Sequence, residues 1–581
     1  MKKSLVALSI VAGLSASAQA AVYQLEELST LAGAKHHYIV DANNNGEVIG
    51  QARGLYNLPI DVSYIDFTES AITRAYDTWE DNQFEQIDKE ITFTLDDIAA
   101  GDLNADALTF MLSFLSSTNG DENWQKIADV VAVNFTPSPA VEQVLMDQPS
   151  SDYEGYTRSV SNLYNAISDD GVRVGSGSAP YKKIEFTPQG DDEPETYFVR
   201  DYRSRGVVVS PSGEVSTLLP ISDLYGGTST ASDIVQRPDG GYYVVGSASI
   251  GVAEDRQEDY DDRCDDEDEP IAVCVWRLEN LASSNTLSGF YDRRAVLWTL
   301  DAELNPVETK ELGLGLVPDE DDGNAFVSVA LAVNSQGIAV GYSHVRKFDN
   351  ENSIRTMPVL YKDGQVLELL NQEDDWFSGK AVAINDEGII TGFGTKRVEG
   401  RTTTKFFYHD VNTGQTVFPS DYFVSSSSVA RAINANGVII GEGEVDVVNS
   451  SSRRREGFIY SIGDDKIANI NDLLPCYDID GESNYPYNFA EATAIDDDGI
   501  IYGVATKTKE KLNARGEVEV DDSGKILYES VATPVKLSPI AGGEIEECPP
   551  EAAETYERQS GSLGWLALLA LPLLALRRRF K

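Results

Sequence analysis

Eleven of the sixteen residues from 254 to 269 (EDRQEDYDDRCDDEDE) are carboxylates. Calcium takes roughly six to eight oxygen ligands, and such a run can supply them. Asp261, Asp262, Asp265 and Asp266 are the candidate ligands, which makes calcium the one cofactor the sequence nominates. The same run also reads as a solvated, self-repelling loop. A second cluster, Asp102, Asn104 and Asp106, starts like a calcium loop but lacks the glycine and glutamate that complete one. Cys264 and Cys274 flank the end of the acidic run, and proximity pairs them; Cys476 then pairs with Cys548, one of three connectivities open to four cysteines. The four histidines, His36, His37, His344 and His409, lie in strand or turn contexts with no nucleophile motif beside them. No G-x-S-x-G, H-E-x-x-H or P-loop occurs. Acid–base work by two carboxylates, as in glycoside hydrolysis, is open to a chain with 95 Asp and Glu, but linear spacing cannot pick the pair. No catalytic residue is therefore nominated.

The elements that would position these groups are visible as a repeat. Seven times the chain shows an apolar stretch, Asn, Asp or Ser, two residues, Gly, a second apolar stretch and another Gly. The clearest copies are Ala332–Gly341, Ala383–Gly392, Ala432–Gly441 and Ala494–Gly503; Ala166–Gly175 also fits, and Val40–Gly50 and Ile234–Gly246 are looser. Asn-x-x-Gly is a hairpin turn, with the Asn side chain capping its own backbone and Gly taking positive φ. The second Gly marks a bulge or a close approach of two backbones. Two further apolar stretches follow each copy, as in Pro358–Tyr361 and Val366–Leu369. Each unit thus supplies about four short strands on a period near 50 residues, which predicts an all-β fold, a β-propeller of seven blades. Val22–Leu28 resembles a fourth strand and Ala532–Leu537 a third, so the N-terminal strand is expected to complete the last blade. Two insertions interrupt the repeat: residues 69–150, read as helical from Leu108, Met111, Leu112 and Leu115 and from a second helix over Trp124–Val133, and the acidic loop 252–285. The first reads as a cap packed on the propeller, with a lid over the channel mouth as the functional alternative.

Composition sets the partners. Lys and Arg total 46, so the formal net charge is −49, and nucleic acid is excluded as a general partner by repulsion. A hydrophobic content of 41%, with 27 Tyr and 20 Phe, is enough for a large core. Residues 1–20 have a charged start at Lys2 and Lys3, an apolar run and a small-x-small end at Ala18-Gln19-Ala20. This is a secretory signal, with cleavage between Ala20 and Ala21. Residues 561–581 hold a 14-residue apolar run, Leu563–Leu576, then Arg577, Arg578, Arg579 and Lys581. The run reaches only roughly 21 Å against a ~30 Å hydrocarbon core. Gly561, Ser562 and Gly564 precede or open it.

That order of small residues, short apolar helix and terminal arginines resembles the GlyGly-CTERM sorting signals of Gram-negative bacteria, although Ser560-Gly561-Ser562 stands where a Gly-Gly pair is usual. The resemblance implies removal of the tail by a rhombosortase-type protease and delivery to the cell surface, commonly by type II secretion. The paired motifs resemble HAF repeats, and the whole chain, over most of residues 21–581, resembles a family of uncharacterised Gram-negative exported proteins with the same signal, repeats and tail. These likenesses imply a location at the outer surface or outside the cell, or in the periplasm on a membrane anchor. They imply no activity. The leading expectation is a binding or scaffold module for an extracellular glycan, peptide or protein; the alternative is a secreted hydrolase or lyase with carboxylates at the channel mouth. Export machinery, a sorting protease and the membrane, through the tail, are the other expected partners. Protein extracted from the cell surface is expected to lack Arg577 to Lys581; an intact mass that includes them would establish a permanent anchor instead.

Overall fold

The Asn-x-x-Gly segments are turns joining the first two strands of seven four-stranded antiparallel sheets. The computed structural model describes residues 22–87, 90–190, 193–264, 269–282, 289–319, 322–447, 453–475, 487–521 and 523–545. The signal segment with Ala20 and Ala21, the tail with Gly561, Ser562 and Gly564, and Cys476, Cys548, Asp265 and Asp266 lie outside the described residues.

The sheets are the blades of a seven-bladed propeller. Their first strands are Ala34–Ala42, Asn162–Ile167, Ser229–Gln236, Ser328–Val333, Ser378–Ile384, Ser428–Ile433 and Tyr487–Ile495, here numbered blades 1 to 7. Each first strand touches its counterparts in the neighbouring blades all the way round, so these strands surround the axis. Seven hydrophobic clusters fill the seven blade interfaces; Trp298 of blade 3 packs against Val208 of blade 2, and Phe458 of blade 6 against Phe406 of blade 5. The ring is closed by Val22–Glu27, which pairs antiparallel with Tyr528–Ile540 as the fourth strand of blade 7. Leu25 lies opposite Leu537, and Tyr23 and Leu25 enter the core shared with blade 6.

The turn chemistry explains the repeat. Asn434 is buried, and its Oδ1 accepts from the N–H groups of Asn436 (3.1 Å) and Val438 (3.0 Å). Its Nδ2 donates across the interface to the carbonyl of Asp496, the matching residue of blade 7, at 3.0 Å. Asn385 does the same to Asn434 (3.1 Å), Asn334 to Asn385 (3.4 Å) and Asn43 to Ser168 (2.9 Å). The first Gly of each copy, Gly437 among them at φ 75°, takes the left-handed conformation. The second faces the neighbouring strand so closely that a Cβ on Gly441 would lie 2.0 Å from the Val429 carbonyl oxygen. The ladder slips by one residue immediately after that contact in every blade, so the second Gly marks a bulge.

Two expectations about the insertions are corrected. The helical insertion ends before residue 130: helices α1 (Ser70–Ile87), α2 (Leu95–Ala99) and α3 (Ala105–Ser117) precede Val130–Asn134 and Val141–Gln143, the outer strands of blade 1. Val130, Val131 and Val133 are β-branched and pair with the second strand of that blade, so the helix read over Trp124–Val133 does not form. The acidic loop is instead helices α4 (Glu254–Arg263) and α5 (Ile271–Ala282). Glu254 and Asp255 sit in the first turn of α4, where the helix dipole favours them, and Arg263 bridges back to Asp259 at 3.1 Å.

Asn434→Ala is expected to lower unfolding stability by about 2 kcal/mol, because it strands buried backbone donors. Asn434→Asp is expected to cost less, since it keeps the acceptor and loses only the inter-blade donor. Urea unfolding of both variants checks the order.

Candidate functional site

The bulges turn one residue of each inner strand out of its pleat: Val40, Asn165, Ser232, Leu331, Val382, Arg431 and Thr493. Four of them, Asn165, Ser232, Leu331 and Val382, line a single cavity of about 440 Å³ on the axis between blades 2 and 5. The hydroxyls of Ser176, Thr230 and Ser247, the Tyr342 side chain and Arg293 complete its wall. Among the described residues no carboxylate lines it.

Arg293 stands at the start of the third strand of blade 3, Tyr291–Leu300. Its neighbour Arg294 is fully engaged, bonding the Phe326 carbonyl at 2.8 Å and Asp292 at 3.4 Å. The Arg293 backbone is equally satisfied, donating to the Phe326 carbonyl and accepting from Arg294. Its guanidinium, however, has no hydrogen bond and no ion pair among the described residues. Burial holds its pKa below the usual value; Tyr342 opposes that shift and Arg203 adds to it. Lys380, from the inner strand of blade 5, places Nζ 4.6 Å from the centre of the Tyr342 ring and also lacks a carboxylate partner among the described residues. Burial lowers its pKa, and Arg431 adds to the effect. Tyr342 thus joins two cations, and burial raises its own pKa against the pull of Arg293.

The carboxylates of the inner and second strands near the axis are already occupied. Asp41 accepts from the N–H of Ala42 (2.9 Å) and, across the interface, of Ile167 in blade 2 (2.9 Å). Asp233 does the same with Ile234 (2.8 Å) and Val333 in blade 4 (2.9 Å). Burial outweighs these donors and pushes Asp41 up to about 7 and Asp233 up to about 6. In blades 6 and 7, Arg431 bridges Glu442 (3.2 Å) and Glu491 (2.7 Å), and Arg455 holds Glu442 at 2.8 Å. Burial pushes Glu491 up against the pull of Arg431, and Glu442 adds to the push.

The insertions form a cap. Helices α1 to α3 in blade 1, the hairpin Lys182–Phe186 and Glu195–Val199 in blade 2, and helices α4 and α5 in blade 3 each leave between the second and third strands of their blade, so they share one face, opposite the Asn-x-x-Gly turns. The cap core of α1 to α3 gathers Ile72, Phe93, Phe110, Met111 and Trp124. It bonds to the hairpin Lys182–Phe186 and Glu195–Val199 through Phe198 N–H to Glu122 (2.9 Å) and Lys183 to Asp61 (2.6 Å). That hairpin meets α5 through Arg200 and Glu279 (3.2 Å). A second cavity, of about 300 Å³, opens beside the hairpin, with Lys126 in its wall. Lys126 lies 5.0 Å from the centre of the Trp276 ring, donates to the Asp121 carbonyl and is lowered to about 8 by burial.

The nominated residues meet different fates. Cys264 and Cys274 are disulfide-bonded, tying α4 to α5. Asp261 and Asp262 lie on exposed turns of α4, with Asp261 accepting from Gln257 at 2.9 Å. Among the described residues no group of three or more ligating side chains could hold a metal. The helix explains this: it spreads neighbouring carboxylates around its axis instead of turning them to one point. Asn104 is the N-cap of α3, and Asp106 accepts from Thr92. Each histidine ties two chain segments: His36 to Ala532, His37 to Leu31, His344 to Val327 and His409 to Thr416. Arg293, Tyr342, Lys380 and Lys126 escape sequence reading, because nothing in their local pattern separates a channel residue from an ordinary strand residue.

One family model, described as "Protein of unknown function (DUF3466)", matches residues 1–579. Among curated proteins, none matches the sequence. Solved structures similar to the chain include the β-propeller domain of the Trilobed protease from Pyrococcus furiosus, 11% identical, covering 69% of this chain and 86% of that one with a TM-score of 0.31. The acylaminoacyl peptidase of Pyrococcus horikoshii is 12% identical over 69% of this chain and 47% of its own, TM-score 0.31. An oligogalacturonate lyase in complex with manganese is 9% identical over 62% and 78%, TM-score 0.28.

Because the folded pKa of Asp41 lies above the unfolded value of 3.8, the native state holds a proton that the unfolded chain has lost between these values. Its contribution to stability therefore falls as pH rises from about 4 to about 7. The stability gap between the wild type and Asp41→Ala is expected to narrow between pH 5 and pH 8, as read from paired urea titrations.

Proposed function

The chain belongs to the DUF3466 family, and from that premise we propose that it is an exported, cell-surface-associated binding module whose ligand enters the axial cavity of the propeller. The carrying observation is that polar side chains from blades 2 to 4 converge there while the carboxylates of the inner strands are consumed by the architecture. A site of about 440 Å³ lies within the range of small-molecule and short-oligomer sites. Export is supported by the N-terminal segment and by the Cys264–Cys274 disulfide, since disulfides persist in oxidising compartments. Residues 561–581 would hold the protein at the membrane until sorted. Extracellular glycans or peptides are the ligand classes that such a location supplies.

A second reading, a hydrolase or lyase, is favoured by one feature: Glu491 is raised beside a second carboxylate, as general acids are. Against it, Arg431 bridges both carboxylates, leaving neither free to face a substrate.

A glycan and peptide binding screen, paired with hydrolysis assays on every hit, separates the two. The binding reading expects saturable binding, no turnover, and binding unchanged in Glu491→Gln. Turnover that Glu491→Gln abolishes would establish the enzyme.

A further inference from the structure

We propose that the axial cavity selects a carboxylate-bearing, polyhydroxylated small ligand, a sugar acid, and that Arg293 is the residue that recognises its carboxylate. The inference rests on the binding reading above and names the chemistry of the ligand.

Arg293 is half-buried, and a guanidinium that has given up part of its hydration is ordinarily compensated by an acceptor or a counter-ion. This protein has 95 carboxylates and pairs Arg294, the adjacent residue, with Asp292 and Glu311. Arg293 nevertheless faces the cavity with no counter-ion among the described residues. Lys380, over the Tyr342 ring, likewise lacks a carboxylate partner among the described residues. Two cations, Arg293 in the cavity wall and Lys380 over the Tyr342 ring, therefore stand near a cavity that no carboxylate lines among the described residues, in a chain of net charge −49. The surrounding acidity repels a freely diffusing polyanion, but a ligand with one carboxylate meets a local positive potential once inside. The planar fork of an arginine matches a carboxylate in bidentate fashion.

The rest of the wall describes the rest of the ligand. Ser176, Thr230, Ser232 and Ser247 offer hydroxyls, and Asn165 an amide, which suit the vicinal hydroxyls of a sugar. Part of this set is already interlinked: Thr230 and Ser247 share a hydrogen bond at 3.0 Å, and Asn165 donates to the Ala231 carbonyl at 2.6 Å, so the wall is held in place before a ligand arrives. Leu331 and Val382 add an apolar surface for the ring C–H groups.

The test is calorimetric titration of the purified protein with D-galacturonate and D-glucuronate, and with galactose and glucose as neutral counterparts. At least one acid is expected to bind, with its neutral counterpart at least about tenfold weaker, the scale of a lost charged hydrogen bond. Arg293→Gln is expected to weaken acid binding by a similar factor, and Arg293→Lys by less, since it keeps the charge and loses the fork. Without ligand, Arg293→Gln is expected to melt no lower than the wild type, because the residue it replaces has no partner to lose. Four results overturn the proposal. Equal affinity for acid and neutral sugar makes the cavity a neutral-ligand site and leaves the binding reading standing. Acid binding that Arg293→Gln leaves unchanged moves the anion site elsewhere. A variant that melts well below the wild type makes Arg293 structural. If neither acid binds, the proposal fails, and the broad screen decides the binding reading separately.

Discussion

In four of the seven blades one side chain at the tip of the inner hairpin holds this propeller in register. An asparagine there closes its own turn with Oδ1 and ties its blade to the next with Nδ2, as Asn434 does with Val438 and Asp496. The two jobs need both ends of an amide, which is why Asn dominates the position. Where the residue differs, another polar tie takes over the interface. Blade 2 has Ser168, and Asp170 instead accepts from Tyr242 and Gln236 of blade 3. Blade 3 has a longer turn, and Asp233 reaches Val333 of blade 4. Blade 7 has Asp496, and Asp497 N–H closes the circle onto Asn44 of blade 1 at 2.9 Å.

The channel chemistry follows from the same motif. Tight closure brings the second Gly of each copy against the opposite carbonyl, where a Cβ on Gly341 would lie 1.9 Å from Val329 O. The strand beyond that contact bulges, and the bulged residue leaves the blade face for the axis. A structural repeat thus delivers variable side chains to one cavity: Ser232 from blade 3, Leu331 from blade 4, Val382 from blade 5. The scaffold positions are constrained by packing, while the bulge positions are constrained only by what fills the channel.

The acidity of the chain, by contrast, is largely architectural or superficial. Asp41 and Asp233 clasp blades, Glu442 and Glu491 are bridged by Arg431, and the acidic segment of α4 lies exposed beside a disulfide. This distribution is why the number of carboxylates alone says little about chemistry, whereas the partner of each says what it holds. Arg293 and Lys380, without a carboxylate partner among the described residues, carry more information than the many acids.

Much of the fold was legible in the sequence because it rests on local rules. Asn-x-x-Gly can be little other than a turn, apolar alternation marks its strands, and seven copies fix the blade number. The closing strand was legible too, since Val22–Glu27 carries the pattern missing after Ala532–Leu537. The helices at Glu254–Arg263 and Ile271–Ala282 were not, because an acidic run resembles a loop until dipole, ion pairs and a partner helix stabilise it. The channel was not legible at all. Arg293 and Arg294 are identical neighbours in one strand, and only the pleat of blade 3, packed between blades 2 and 4, sends one to its partners and leaves the other in the cavity. Local sequence specified the units; which side chains meet at the axis depends on contacts between residues far apart in the chain, and those exist only once the ring is closed.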